Sequence, residues 1–253
     1  MDLNYTSLGS GRPLLILHGL LGSRINWLGM GKRLAEGYAV YLIDLRNHGL
    51  SPHSDDMSYP HMAADIEKFI RSRGLESPVL MGHSMGGKVA MECALAYPDS
   101  ADALIVLDIA PKSYPPTHEN VFTALLRLDV EQISSRKDAD DVLKKAIPDK
   151  LLRLFLLKNL KRDEEGGFHW QVNIKALATH YDKIWAGIEQ GRVYKKDTLF
   201  IRGGESSLVL DEDMPALKTM FPGVILETIE GAGHWLHTDK PEETLKIVRE
   251  FLR

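Results

Sequence analysis

The sequence predicts an α/β fold in which a mostly parallel, doubly wound sheet carries a helical cap. The first observation is the alternation of short apolar runs with longer stretches of helical periodicity along most of the chain. The second is that these runs are almost continuously apolar, which is typical of strands that helices cover on both faces. The third is one long interval near the middle of the chain that contains helical patterns and no convincing strand.

Six segments have the composition of buried strands, because they are rich in leucine or β-branched residues and are bounded by turn formers. The sequence predicts strands over residues 13–18, 38–44, 78–83, 103–108, 198–203 and 224–229. Between them, helical periodicity predicts helices over residues 23–36, 59–73, 85–97, 213–221 and 241–252. This order of strands and helices predicts the doubly wound arrangement.

The interval from residue 112 to residue 196 is predicted to form the cap from helices alone. Pro148 and the turn-like segment DEEGG at 163–167 separate its helical stretches. The core is assigned to residues 1–111 and 197–253, so the cap is an insertion in a single domain after the strand that ends at Asp108. Because active sites of open α/β sheets lie beyond the carboxyl ends of the strands, the cap is expected to cover the site.

Apolar residues recur at helical spacing within the predicted cap. Most of them are expected to pack against the sheet, and a minority to line a substrate pocket. The positions concerned are Phe122, Leu125, Leu154, Leu157, Leu177, Tyr181 and Trp185.

Composition excludes several classes of protein. The 253 residues carry a formal net charge of -4, and no run of Lys or Arg is dense enough for a nucleic-acid partner. The single cysteine, Cys93, cannot form an internal disulfide and lies in an apolar stretch. The N-terminus lacks the pattern of a signal peptide, and no segment approaches the length of a membrane span. We therefore expect a cytoplasmic monomer or homodimer without a membrane span.

The strongest chemical signal is the segment Gly82-His83-Ser84-Met85-Gly86, which lies between a predicted strand and a predicted helix. A G-x-S-x-G pattern in this context places the serine on a strained turn, and small flanking residues keep its neighbours from colliding. The turn exposes the hydroxyl at a helix N-terminus, where amide dipoles favour developing negative charge. Ser84 is therefore the predicted nucleophile. A glycine-rich turn with a chance serine is the alternative interpretation.

A second glycine-bearing turn follows the predicted strand in LLILHGLLG, residues 14–22. Where such a turn accompanies a nucleophilic serine, its backbone supplies one amide of an oxyanion hole, and the residue after the serine supplies the other. The donors are assigned to Leu20 and Met85. His18 is expected to support the loop through hydrogen bonds and not to act as a base.

The predicted general base is His234, in the segment EGAGHW between the last predicted strand and the last predicted helix. A base must lie on a loop that can reach the serine, and the order serine, acid, histidine places it near the C-terminus. His237 is the alternative and is expected at the rim of the pocket or in contact with solvent.

The acid is predicted to be Asp108, at the end of the strand ALIVLD. In many such hydrolases an aspartate follows the strand that comes before the histidine-bearing strand. The corresponding segment here, LFIRGGESS, has serine at that place near Ser207. A hydroxyl can hold an imidazole but cannot supply negative charge to an imidazolium. Glu205 and Asp211 are the alternative acids. The alternative role for Asp108 is that of a turn residue, or of a helix-capping residue, at the start of the insertion.

The strings HGLLGS, DLRNHGLSP, MGHSMGGKVAM, LDIAP, FIRGGES and GAGHW resemble the YbfF-type esterases and ABHD11-like hydrolases of the α/β-hydrolase superfamily. The resemblance covers almost the whole chain and is weakest in the cap. It implies an α/β-hydrolase fold and a Ser-Asp-His hydrolase whose acid maps onto Asp108. It also implies acyl esters as substrates, including acyl-CoA thioesters and short-chain esters.

These observations predict a serine hydrolase that cleaves carboxylic esters or thioesters of small to medium acyl groups through an acyl-enzyme on Ser84. The chemistry needs no metal and no organic cofactor. A lyase or acyltransferase with the same three residues is the main alternative, and a ligand-binding receptor with a vestigial triad is another. The polar cluster Asp44, Arg46, Asn47 and His48 is expected to fix a loop beside the oxyanion turn.

Overall fold

Seven strands form one sheet in the computed structural model, which describes residues 1–253. The strands lie in the order β1-β3-β2-β4-β5-β8-β9; all neighbours are parallel except β1 and β3, which are antiparallel. A separate antiparallel pair, β6 and β7, lies in the inserted segment. The strands are β1 (Tyr5–Leu8), β2 (Pro13–Leu17), β3 (Ala39–Ile43), β4 (Val79–His83), β5 (Ala103–Leu107), β6 (Leu160–Arg162), β7 (Phe168–Trp170), β8 (Asp197–Gly203) and β9 (Val224–Ile229).

Eleven α-helices accompany the strands. They are α1 (Leu28–Leu34), α2 (Tyr59–Ser72), α3 (Met85–Ala96), α4 (Glu119–Arg127), α5 (Arg136–Leu143), α6 (Lys150–Leu156), α7 (Ile174–Thr179), α8 (Tyr181–Trp185), α9 (Met214–Met220), α10 (Leu236–Asp239) and α11 (Pro241–Phe251). None of these helices combines the length and the apolar character that crossing a membrane requires. The predicted fold class, a mostly parallel and doubly wound α/β-hydrolase fold with an inserted cap, is confirmed.

The core consists of two layers, one on each face of the sheet. Side chains of a strand alternate between the faces, so Leu15 and Leu17 of β2 pack with α2 and α3, whereas Leu14 and Ile16 pack with α1 and α11. Strands β4 and β5 are buried along their whole length. Their continuous hydrophobicity in the sequence therefore reflects burial on both faces.

Each of the six predicted strands forms, with ends within one residue of the prediction, but the prediction missed three others. Strand β1 has the sequence YTSL and is half exposed at the edge of the sheet, so it lacks the apolar run that marks a buried strand. The expectation of a cap without strands was wrong, because β6 and β7 pair around the DEEGG turn. The Asp163 carboxylate accepts a hydrogen bond from the Gly167 amide at 2.7 Å and closes that turn.

One predicted helix is also divided. The segment predicted as a helix over 23–36 begins with a 3-10 turn, Arg24–Trp27, and continues as α1, which ends at Leu34. The Asn26 side chain accepts a hydrogen bond from the Ser23 amide at 2.8 Å, which fixes the start of the turn.

A buried lysine joins two segments of the insertion, its start and the chain after its last helix, to the core. Lys88 of α3 is 1% exposed, and its ammonium donates to the carbonyl oxygens of Lys112 at 2.9 Å and Ala186 at 2.6 Å. Residue 112 follows the strand β5 and residue 186 follows α8, the last helix of the insertion. The Tyr59 hydroxyl of α2 donates to the Ile184 carbonyl and holds that helix.

Candidate active site

Ser84 lies on a strained turn between β4 and α3. Its φ is 54° and its ψ is -121°, a conformation that L-residues rarely adopt. A Cβ at Gly82 would lie 2.1 Å from the Gly86 carbonyl oxygen, and a Cβ at Gly86 would lie 2.3 Å from the Leu17 carbonyl oxygen. Glycine is therefore required on both sides of the serine, because backbone atoms occupy the space that a side chain would need.

The loop after β2 is held by two histidines in single tautomers. His18 accepts a hydrogen bond from the Leu45 amide at Nε2 and donates from Nδ1 to the Gly19 carbonyl. His48 accepts from the Leu21 amide at Nε2, 3.1 Å away, and Leu21 has a φ of 58°. Burial lowers the pKa of His18 and lowers that of His48 to about 3, so both rings are neutral near pH 7.

Neither of the two amides assigned to the oxyanion hole donates a hydrogen bond to another group of the chain. Leu20 lines the cavity that contains the Ser84 side chain. Met85 is the first residue of α3, where a helix leaves its amides without partners. Two amides near the serine thus remain available to a developing negative charge.

Asp108 follows β5 and carries the buried carboxylate of the site. It is fully buried with a φ of 50°, and its Oδ2 accepts a hydrogen bond from His234 Nδ1 at 2.8 Å. Oδ2 also accepts from the Ser206 hydroxyl at 2.5 Å, and Oδ1 accepts from the Gly203 amide at 3.0 Å. The donors lie at the end of β8, in the loop that follows it and in the loop after β9, so the carboxylate is held by two neighbouring segments.

The alternative acids do not contact the imidazole. Glu205 is exposed, and the exposed Asp211 pairs with Arg202 at 2.7 Å. The serine in the β8 loop, where an aspartate was expected, proves to be a donor to Asp108, since it is Ser206 that faces the carboxylate. The sequence pattern had shown a serine at this place but not which group it contacts.

Ser84 and His234 line one cavity of about 420 Å³ between the sheet and the cap. No hydrogen bond joins the Ser84 hydroxyl to His234 in this structure. Such contacts are often long in enzymes without substrate and tighten in the complex. Because Asp108 accepts the proton of Nδ1, the tautomer that it stabilises leaves Nε2 free as an acceptor.

Besides His18 and His234, three histidines line this cavity, and only His237 was considered from the sequence, as the alternative base. His83 donates from Nε2 to the His234 carbonyl at 2.8 Å, and its position next to Ser84 was the only signal. His237 stacks on Trp27, which is 1% exposed, with ring centroids 4.1 Å apart. His118 lines the cavity from the cap. Burial is the main cause that lowers the pKa of each ring, and nearby His234 lowers it further.

The polar cluster after β3 supports the oxyanion loop and lies outside the cavity. Asp44 accepts hydrogen bonds from the Arg24 amide at 2.8 Å and from the Leu50 amide at 3.0 Å. Arg46 pairs with Asp65 of α2 at 2.7 Å. These contacts, together with that of His48 to Leu21, agree with the structural role expected for the cluster.

Comparison with known proteins gives a consistent set of relatives. The chain is 39% identical over 264 residues to the sn-1-specific diacylglycerol lipase ABHD11 of Mus musculus, covering 100% of this chain and 85% of that protein. It is 32% identical over 241 residues to esterase YbfF of Escherichia coli K12, covering 95% and 92% of the two chains. A solved structure described as a marine microorganism esterase superposes with a TM-score of 0.96 at 43% identity and covers 99% of both chains.

The family described as the alpha/beta hydrolase fold matches residues 12–241. The match includes the serine turn after β4, the loop after β2 and the histidine loop after β9. Sequence, topology and relatives agree, and the chain belongs to the α/β-hydrolase family.

Proposed function

We propose that the protein is a serine hydrolase that cleaves carboxylic esters or thioesters of small to medium acyl groups. The observation that carries the proposal is the hydrogen bond of 2.8 Å from His234 to the buried Asp108, in the cavity that contains Ser84. Only a few residue types can make a serine hydroxyl nucleophilic, and a carboxylate-oriented imidazole is one of them. The esterase and lipase relatives give this reading independent support.

Acylation begins when His234 Nε2 takes the proton of the Ser84 hydroxyl as the oxygen attacks the acyl carbonyl. The carbonyl electron pair moves to oxygen, where the Leu20 and Met85 amides hold it. Collapse of this intermediate expels the alcohol or thiol, which takes the proton from His234. Asp108 stays ionised and stabilises the imidazolium at each stage. Water then repeats the sequence on the acyl-enzyme and releases the acid.

The cavity walls favour an acyl substrate. Helix α6 contributes four leucines and Phe155, and the loop after β9 contributes Trp235. The cavity lies within the range of roughly 300–1,000 Å³ that small-molecule sites occupy. Esters and thioesters both fit the mechanism, because either leaving group needs only one proton from His234.

The test is hydrolysis of p-nitrophenyl acyl esters and acyl-CoA thioesters by the wild type and two variants. We expect Ser84→Ala to abolish turnover and covalent labelling by a fluorophosphonate. Asp108→Asn is expected to fold normally and to lower kcat by about four orders of magnitude, because the imidazole loses its orienting charge. The exposed Asp211→Asn variant is the matched control and should keep full activity.

Two outcomes would change the assignment. Turnover unaffected by Ser84→Ala would remove the serine from the mechanism. A product analysis that finds a new ester, with no free acid, when an alcohol is present would replace hydrolysis by acyl transfer on the same residues.

A further inference from the structure

A second cavity, open to solvent between the helices of the cap, lies beside the one that contains Ser84, and we call it the cap cavity. It has a volume of about 690 Å³ and lies between α4 on one side and α7 and α8 on the other. More than half of the residues that line it are hydrophobic, including Phe122, Leu126 and Ala178. The proposed reaction uses none of these residues.

The two cavities share one wall. Trp185 is the side chain that lines both of them. Helix α4 and the residue before it complete the wall, since His118 and Val121 line the cavity of Ser84 whereas Phe122 and Leu126 line the cap cavity. Removal of one side chain, the Trp185 indole, would therefore join the two spaces.

The indole is held by packing against rings. It stacks on His118 with centroids 5.4 Å apart and planes inclined by 17°, and it meets Tyr114 and Tyr181 edge to face. The Tyr181 hydroxyl accepts a hydrogen bond from the His118 amide at 2.6 Å and thus holds the base of the stack. The indole Nε1 is buried without a hydrogen-bond partner, so no polar contact ties Trp185 to this position.

The wall lies at the inner end of the Ser84 cavity. Leu151 and Leu154 of α6 line the same cavity and are 69% and 49% exposed, which marks the mouth. Val121, which lines the cavity from α4, is only 7% exposed. In the proposed mechanism the leaving group departs while the acyl group is still attached to Ser84. An acyl chain in the inner end leaves the mouth open for that departure and for the entry of water.

We propose that Trp185 sets the upper limit of acyl chain length, because the end of the chain abuts its indole, which separates the Ser84 cavity from the cap cavity. This inference rests on the proposed function and names the acyl chain as the group that this wall meets. A substitution that removes the indole would extend the acyl site into the cap cavity.

The test compares kcat/KM of the wild type and Trp185→Ala for p-nitrophenyl acetate, butyrate, octanoate and laurate. Each methylene that the opened space buries should favour the longer ester by about threefold to fourfold. We therefore expect the laurate to butyrate ratio to rise at least about tenfold, with acetate turnover little changed. Indole added to Trp185→Ala should refill the space and reduce the ratio again, since apolar cavities bind such molecules.

Two control variants separate this effect from a general disturbance of the cap. Trp185→Phe keeps an aromatic wall and should keep the wild-type ratio. Leu154→Ala removes an apolar side chain at the mouth without opening a second cavity, so it should not raise the ratio. Trp185→Leu serves as a second opened variant if the alanine substitution does not fold.

The outcomes are distinct for the two proposals. A folded and active Trp185→Ala or Trp185→Leu enzyme with the wild-type chain-length profile would overturn this inference and leave the proposed function intact. Absence of hydrolysis of every ester by the wild type would overturn the proposed function and this inference with it.

Discussion

The carboxylate of Asp108 accepts hydrogen bonds from three donors. The Ser206 hydroxyl is the donor that a substitution can remove while the hydrogen bond from His234 remains. Ser206 and His234 both donate to Oδ2, so the hydroxyl competes for charge while it fixes the orientation of the carboxylate. A hydrogen bond to a charged group is worth about 1.5–3 kcal/mol. Loss of the Ser206 hydrogen bond should therefore have a measurable effect on catalysis.

We predict that Ser206→Ala lowers kcat/KM about tenfold through a less well oriented Asp108, with little change in KM. The neighbouring Ser207 is exposed and is the matched control, so Ser207→Ala should behave as the wild type. Steady-state kinetics on one p-nitrophenyl ester provide the measurement. Equal activity of the two variants would show that Ser206 does not position the acid.

The sequence predicted single residues well where a local motif surrounds them. Ser84 and His234 each lie among glycines at the end of a strand, and this pattern is visible within a few positions. Ser206 and His118 acquire their roles from partners that are distant in the chain, such as Asp108, 98 positions before Ser206. No local pattern records such contacts.

At the scale of elements, the turn between β4 and α3 depends on close backbone packing. Gly86 lies against the Leu17 carbonyl of β2, so a side chain there would push a helix away from a central strand. The glycine thus sets the distance between α3 and the sheet as well as the shape of the serine turn.

We predict that Gly86→Ala lowers the free energy of unfolding by about 1–3 kcal/mol and nearly abolishes activity, because backbone atoms cannot move aside. Gly29 of α1 is the control, since a Cβ there would meet nothing within 4 Å. Gly29→Ala should instead stabilise the protein by up to about 1 kcal/mol through helix propensity. Urea unfolding of both variants checks the difference; a fully stable Gly86→Ala would contradict the packing argument.

The connection of cap and core is sensitive to pH through Lys88. Burial lowers the pKa of its ammonium to about 7, from the ordinary 10.5. Between these values the unfolded chain binds more protons than the folded one, so this group makes stability rise with pH. The groups that face it are uncharged at neutral pH: Tyr59 of α2, 5.6 Å from the ammonium, and Tyr114 of the cap segment, 4.9 Å away.

We predict that Lys88→Met removes a rise in stability between pH 7 and pH 9 that reaches about 1.4 kcal/mol per pH unit in the wild type. The exposed Lys32 of α1 is the control, and Lys32→Met should keep the rise. Urea titrations at several pH values give the slopes. Parallel slopes for the wild type and Lys88→Met would show that Lys88 does not titrate in this range.

Predictions from the sequence were strongest for buried elements and weakest for exposed ones. The strands β4 and β5 have apolar runs that only burial on both faces explains, and both were located within one residue. The hairpin of β6 and β7 has three residues in each strand, and its pairing depends on the turn between them more than on apolar pattern. Short, partly exposed strands leave too weak a periodicity to be recognised.

Across the whole molecule, five of the ten histidines are buried or partly buried and have a lowered pKa. Burial is the largest cause for each, because the interior disfavours the charged ring. The five are His18, His48, His83, His118 and His237. The unfolded chain therefore takes up protons near pH 6.5 that the folded chain excludes.

We predict steep loss of stability as the pH falls below 6.5. Each of these rings has a lower pKa in the folded chain than in the unfolded chain, so its full contribution to the free energy of unfolding is present above pH 6.5. That contribution is lost as the pH falls toward the folded pKa, which is about 3 for His48 and His237. Each such ring adds a slope of up to about 1.4 kcal/mol per pH unit. Urea midpoints at pH 7, 6 and 5 provide the measurement.

Two histidine variants check the source of this loss. His48→Gln should make the decline shallower, because one ring that must charge on unfolding is gone. The exposed His169→Gln should leave it unchanged. An acid decline of equal steepness in all three proteins would assign it to other groups.

The bond of one ammonium to both Lys112 and Ala186 means that the start of the inserted segment and the chain just after its last helix meet at one buried point. A short linker would bridge such a gap with little entropic cost, since closure of a small loop is inexpensive. The three residues proposed for the chemistry all belong to the scaffold. Chimeric enzymes that combine the core of one relative with the cap of another should accordingly take their reactivity from the core and their substrate selectivity from the cap.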